Sequence, residues 1–229
     1  MCTSPISSWP DSEKPREKLL AAGPASLSDA ELLAVLLRSG LPGVSAVSLA
    51  RTLIARFGGL RGLFAASHDE LCRVRGFGSG KYSQMQAAAE LARRQLAEPL
   101  QRDGPLNNPA AVRDFLHARL RDKPYEVFCC LYLDNRNRLI RFEELFRGTI
   151  DGASVHPREV ARRALRRNAA ALILAHNHTS GVAEPSQAAE HITRRLSSAL
   201  SLLDIRVHDH LVVGDGETVS FAERGLLDA

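Results

Sequence analysis

The sequence lacks any apolar run long enough to cross a membrane. Its first residues, MCTSPISSWPDSEKPREK, lack the apolar core of a secretion signal. A cytoplasmic chain with no membrane partner is therefore expected. Cysteine is scarce: Cys2, Cys72, Cys129 and Cys130 show no CxxC spacing. Cys129 and Cys130 are neighbours in a strand pattern, so they face opposite sides and read as core filler. A strong charge bias is also missing. The formal net charge of +4 permits an anionic partner without demanding one. There is no internal repeat and no low-complexity run. The 229 residues suffice for one large or two small globular domains.

The chain begins with a loose lead-in bearing Pro5, Pro10 and Pro15, with Trp9 as its candidate anchor. A series of short helices follows. One spans residues 16–22. A second, 29–38, opens with the capping box Ser28–Glu31. A third spans 45–57, then a helical turn covers 60–65, and Ser67 caps a helix to Val74. Three alternating glycines come next, Gly76, Gly78 and Gly80, then Lys81 and an Ala-rich helix to Leu96. A P-loop is excluded because Arg75 and Tyr82 occupy its Gly and Ser/Thr positions and no strand precedes. A Rossmann turn fails for the same missing strand. Two readings stay open. One is a helix-hairpin-helix whose glycines and second-helix N–H groups contact a nucleic-acid phosphate, with Lys81 adding charge. The other is a tight helix–helix turn that binds nothing.

The stretch 98–105, with Pro99, Gly104 and Pro105, reads as a linker. Beyond it the pattern becomes mixed. Asn108 caps a helix to Leu120. Residues 127–134 and 139–150 read as strands, followed by a turn at Asp151-Gly152. Residues 157–167 form a helix, 169–175 a buried strand, 187–203 a helix, and 205–213 and 218–221 the last strands. Such interleaving implies an α/β (α+β) domain, a mixed sheet with helices against it. The division expected is an all-α region over 1–100 and a sheet domain over 105–229.

The buried strand ends in His176-Asn177-His178. Side chains two apart on a strand share a face, so both imidazoles leave in one direction. A Gly/Pro loop leads to Ser186, placed as the N-cap of the next helix. Two histidines and a facing helix start suggest a metal-hydrolase site. An HxH pair of plain surface histidines is the blander alternative.

This spacing resembles the JAMM metalloprotease motif of MPN domains: His-x-His, seven residues, Ser, two residues, Asp. The text AHNHTSG…EPS, with GTIDGASVHPREV and DHLVVGDG…VSFAERGLL, is similar to the RadC family over nearly the whole chain. The resemblance implies an N-terminal helix-hairpin-helix domain and a C-terminal MPN (JAMM) domain. It implies Zn2+ held by His176 and His178, Ser186 as oxyanion donor, and Glu126, just before the first strand, as general base. It associates the chain with DNA repair. The pattern breaks at Ala189, where the Asp ligand should stand. Glu190 is adjacent, but one helical step turns a side chain by about a quarter of a circle, so only its longer stem reaches back. Thr179 and Val182 also depart from the family loop, which fits relaxed selection on a natural sequence; an engineered Asp-to-Ala change is the alternative.

The implied function is a zinc-dependent peptidase or isopeptidase, impaired by the missing ligand. The alternative is a metal-free pseudoenzyme acting as a DNA-associated scaffold through Gly76, Gly78, Gly80 and Lys81. The second HxH, His208-Asp209-His210, is read as structural. Arg158, Arg162 and Arg166 form one helical stripe, by default a solvated face.

Overall fold

The structure is a computed structural model that describes residues 6, 9–102, 106, 108–148 and 155–227. Cys2, Pro5 and other early residues of the lead-in, Asp103 to Pro105 of the expected linker and the Asp151-Gly152 turn lie outside the described residues. The chain divides into two compact units, residues 1–92 and 93–229.

The first unit is helical: α1 (Pro15–Ala22), α2 (Asp29–Leu37), α3 (Ala46–Arg56), α4 (Leu60–Ala65), α5 (His68–Cys72) and the start of α6 (Ser79–Arg102). Two helices begin with reciprocal capping boxes, Ser28 with Glu31 and Ser67 with Glu70, which satisfy helix-start N–H groups that would otherwise lack partners. The core contains Leu33, Leu37, Val47, Leu53, Leu63, Leu71, Phe77 and Met85, and Trp9 packs on its edge. α6 was expected to stop at Leu96 but runs to Arg102 through Pro99. Proline lacks the N–H that would bond one turn back and crowds the carbonyl there, so α6 continues through Pro99 at a cost.

In the second unit, α7 (Pro109–Leu120) precedes β1 (Val127–Leu133) and β2 (Leu139–Arg147). α8 (Pro157–Arg166), β3 (Ala171–Asn177), α9 (Gln187–Ser201), β4 (Arg206–Val213) and β5 (Thr218–Ser220) follow. The sheet order is β2-β1-β3-β4-β5. β3 and β4 are parallel, joined across α9, and the other neighbours are antiparallel. This is the mixed α/β sheet that the interleaved pattern implies. All seven residues of β1 and all seven of β3 are buried, because helices cover both faces. α7 packs through Phe115, Leu116 and Leu120 on the face bearing Cys129, Leu131 and Ile173. α8 and α9 pack through Val160, Ala164, Leu196 and Leu200 on the face bearing Cys130, Leu172 and Leu174. Cys129 and Cys130 thus serve opposite cores, and burial pushes both thiols up, away from the reactive thiolate.

Candidate metal centre

β3 is the innermost strand, held by β1 on one side and β4 on the other. His176 lies near its end on the α9 face, fully buried, and His178 is half-buried one step beyond. Asn177 points the other way and staples the strand end. Its side-chain oxygen accepts from Val127 N–H at 2.8 Å and its amide donates to the Tyr125 carbonyl at 3.1 Å. With Asn177 so fixed, the two imidazoles converge: Nε2 of His176 lies 3.0 Å from Nε2 of His178. The sequence expectation that both rings leave the strand in one direction therefore holds in three dimensions.

A third histidine, which the sequence reading set aside as structural, stands behind them. His210 Nε2 lies 2.8 Å from His176 Nδ1, and His210 Nδ1 lies 2.5 Å from Thr193 Oγ1. The Thr193 hydroxyl also sits 2.6 Å from the Ala189 carbonyl, one turn earlier in α9. His210 is fully buried between Phe221, with ring centroids 4.7 Å apart, and Phe128, at 5.6 Å. His208 does not join it. A register shift between Leu172 and Ile173 against β4 leaves His208 as the extra residue of a bulge, and its Nε2 instead meets Asn137 Oδ1 at 2.8 Å. Asp209 accepts from the Ser220 hydroxyl and the Ala222 N–H, tying β4 to the end of β5 and the chain just after it. The sequence marks His210 as part of the second HxH, and its place before the apolar run Leu211-Val212-Val213, where a polar ring must be buried, adds to that signal. The bulge that separates it from His208 carries no such mark.

Burial is the main cause that holds His176 well below the usual histidine range and His210 at about 3, with the neighbouring histidines adding to it. Both rings are therefore neutral at pH 7. Nδ1 of His178 faces the Val182 carbonyl at 2.8 Å. Because a carbonyl only accepts, that nitrogen carries the proton and Nε2 keeps its lone pair. The donor set thus suits a metal ion at two points, His176 Nε2 and His178 Nε2. It does not extend to the three protein ligands of a catalytic zinc site. Among the described residues no group of three or more His, Cys, Asp or Glu is placed to hold a metal ion.

The gap is at Ala189. Its methyl is fully buried with Ala183, Val212, Val219 and Phe221, and Val212 is the register partner of His176. A carboxylate at this position would enter beside the histidines. Glu190 does not replace it, for its carboxylate pairs with Arg194 at 3.2 Å along the outside of α9. Ser186 is the N-cap of α9, as the sequence implied, and its oxygen accepts from Ala189 N–H at 3.1 Å. Extending the antiparallel register that pairs Phe128 with His176 sets Glu126 opposite His178 and on the same face. Its carboxylate makes no hydrogen bond or ion pair with another described residue.

The glycine hairpin lies in the first unit, between α5 and α6. Gly76 is dictated by the fold: its φ is +85°, and a Cβ there would come within 2.0 Å of Leu41. At Gly78 and Gly80 a Cβ would meet nothing within 4 Å, and neither has a positive φ. Lys81 is drawn back into the turn, where its ammonium donates to the Gly76 carbonyl at 2.9 Å.

Comparison with known proteins agrees with this division. Residues 106–226 match the RadC-like JAB domain and residues 6–83 match the UPF0758 N-terminal domain. A UPF0758 protein of Thioalkalivibrio sulfidiphilus is 66% identical over 223 residues, covering 97% of this chain and 100% of that protein. One from Nitrosococcus oceani is 61% identical over 222 residues, covering 97% and 99%. With a JAB sheet domain behind a UPF0758-type helical region, the chain belongs to the RadC family.

Proposed function

We propose that the second unit is a zinc-type JAMM hydrolase centre, peptidase or isopeptidase in class, and that this chain has lost most of its catalytic capacity through Ala189. The observation that carries the reading is the pair of Nε2 atoms 3.0 Å apart with a buried methyl where the third ligand belongs. His176 and His178 would hold the ion. When bound, zinc supplies a polarised carbonyl and a water of lowered pKa. The rest of the chemistry belongs to the chain. The Ser186 oxygen is occupied by the Ala189 N–H, which leaves its hydroxyl proton to donate to a developing oxyanion. Glu126, across from His178, can accept a proton from water and return it to a leaving amine.

The test is zinc content by elemental analysis of protein purified without chelator, with peptide and isopeptide cleavage assayed alongside. Well under one zinc per chain is expected, rising towards one, with cleavage gained, in Ala189→Asp and vanishing in His176→Ala. If Ala189→Asp gained neither zinc nor cleavage, the hydrolase reading would fall.

A second reading concerns the first unit and is favoured by Gly78 and Gly80. Neither is required by backbone conformation or by a neighbouring atom, so their bareness suits the close approach of something from outside. A nucleic-acid phosphate at the start of α6 fits that opening. Binding that weakens with salt, and weakens further in Gly78→Val and Gly80→Val at unchanged fold, is the expected result. Unchanged affinity in both variants would count against it.

A further inference from the structure

The positive charge of the chain is gathered on one layer of the second unit. α8 and the residue after it carry Arg158, Arg162, Arg163, Arg166 and Arg167, and α9 carries Arg194 and Arg195. Neither helix has a lysine. Three glutamates stand among these arginines: Glu159 and Glu190 on the helices and Glu143 on β2. With those ten residues set aside, basic and acidic residues in the rest of the chain are equal in number, so the whole net charge of +4 belongs to this layer. Each carboxylate is already engaged: Glu143 with Arg163 at 3.3 Å and with Arg167, Glu159 with Arg162, and Glu190 with Arg194 at 3.2 Å. A guanidinium has five N–H donors in a fixed fork, so every paired arginine keeps donors to spare. Arg158, Arg166 and Arg195 are exposed and make no ion pair with another described residue. Arg162, Arg163, Arg166 and Arg167 line, with Glu143, a cleft of about 460 Å³.

Three features of the layer choose among anionic partners. Arg158, Arg162 and Arg166 recur every fourth residue, about 6 Å apart along α8, and so form a row that suits a repeating anion. Their planar forks suit phosphate oxygens taken two at a time. Protein interfaces, by contrast, are anchored by aromatic and apolar side chains at a centre depleted of charge. Neither helix carries Phe, Tyr or Trp, and Leu165 is the one large apolar side chain exposed on them. The same lack removes the stacking platform that holds single strands. We propose that the outer layer formed by α8 and α9 is a docking surface for the phosphate backbone of double-stranded nucleic acid, bound without regard to base sequence. Backbone contacts position a protein and carry no sequence information directly. Over the roughly 12 Å from Arg158 to Arg166 a duplex presents about seven phosphates, so the row finds partners at any register. This surface stands on its own charges and needs neither the metal reading nor the glycine hairpin.

The experiment is fluorescence anisotropy with the full-length chain over a range of salt concentrations. The labelled probes are duplexes of two unrelated sequences, each made in DNA and in RNA, a single strand of the same length and a polyglutamate peptide. The unmodified protein is compared with the triple variant Arg158→Gln, Arg166→Gln, Arg195→Gln, three exposed changes that leave the fold intact by circular dichroism. Both sequences should bind alike, and the single strand and the peptide more weakly. In the triple variant the slope of log K against log salt for duplex DNA should fall by about 2.7, the share of three phosphate contacts. Binding of the DNA duplex, the RNA duplex or both supports the proposal and names the source of the phosphates. No duplex binding at low salt, or the same slope in the triple variant, would overturn it. Polyglutamate bound as tightly as the duplex would make the layer a dock for an acidic protein instead, and an equally tight single strand would remove the double helix from the proposal. Gly78→Val and Gly80→Val separate this surface from the hairpin. Affinity lost in those variants, with the slope unmoved in the triple variant, would place the contact in the hairpin and end this proposal. A slope that falls in the triple variant, with both glycine variants unaffected, would keep it and end the hairpin reading.

Discussion

The methyl of Ala189 does structural work that a ligand could not do for free. It is sealed among Ala183, Val212, Val219 and Phe221, so an aspartate placed there without metal is a buried charge with no ion to neutralise it. Ala189→Asp should therefore cost about 3 kcal/mol of stability in chelator. Zinc at about a hundred times its Kd should return most of that, about 2.7 kcal/mol. Urea unfolding with and without zinc reads both numbers. A variant as stable in chelator as the unmodified chain would show that the carboxylate escapes the pocket. His210 supplies a second prediction at this scale. Its folded-state pKa of about 3 lies below that of an exposed histidine, so below about pH 6.5 the unfolded chain binds the extra proton. Stability is then full above that pH and is lost as pH falls towards 3. By pH 5 His210 alone should remove about 2 kcal/mol, and His176 acts in the same direction. Urea unfolding of metal-free protein at pH 8 and pH 5 should show the loss, and His210→Gln should reduce it by about that amount. An equal pH dependence in His210→Gln would mean that the ring is not buried neutral.

At the scale of elements, much was legible because capping and strand patterns are local. Ser28, Ser67, Asn108 and Ser186 each mark a helix start in the sequence, and each caps one. The apolar run before His176 could only be an inner strand, and the HxH at its end needed no tertiary knowledge to face one way. What stayed hidden depends on neighbours. The bulge that parts His208 from His210 arises from the pairing of β4 with β3, which no residue of β4 announces. The run of α6 through Pro99 was hidden because proline ordinarily ends or kinks a helix. Ser186 permits an element-scale test that separates its two roles. Ser186→Ala removes the acceptor for Ala189 N–H and should cost about 1 kcal/mol, whereas Ser186→Asn keeps a cap and should cost little. Introduced beside Ala189→Asp, both should lower cleavage, since neither carries the hydroxyl. Full cleavage by the Asn variant would remove Ser186 from the oxyanion role.

Over the whole molecule, charge is more uneven than the net value of +4 suggests. The outer layer of the second unit carries Arg158, Arg162, Arg163, Arg166 and Arg167 on and just after α8, and Arg194 and Arg195 on α9. The glutamates among them are already engaged: Glu143 with Arg163 and Arg167, Glu159 with Arg162, and Glu190 with Arg194. Arg158 and Arg166 are exposed and have no ion pair with another described residue. The stripe is exposed, as a solvated face is, and Arg158 and Arg166 leave it with charge to spare. In the hairpin, by contrast, Lys81 is committed to the Gly76 carbonyl. A nucleic-acid contact at the arginine layer is therefore a separate proposal from the one at the hairpin, and salt dependence tells the two apart. Arg158→Glu with Arg166→Glu should lower the salt dependence of DNA binding by about two phosphate contacts, a slope change of roughly 1.8 in log K against log salt. Lys81→Glu should instead act mainly by loosening its turn, weakening binding with little change in slope. Fluorescence anisotropy on one duplex over a range of salt concentrations distinguishes the two. A slope that moves with Lys81 and not with the arginine pair would return the contact to the glycine hairpin, and equal slopes in all three proteins would leave the arginine layer a solvated face after all.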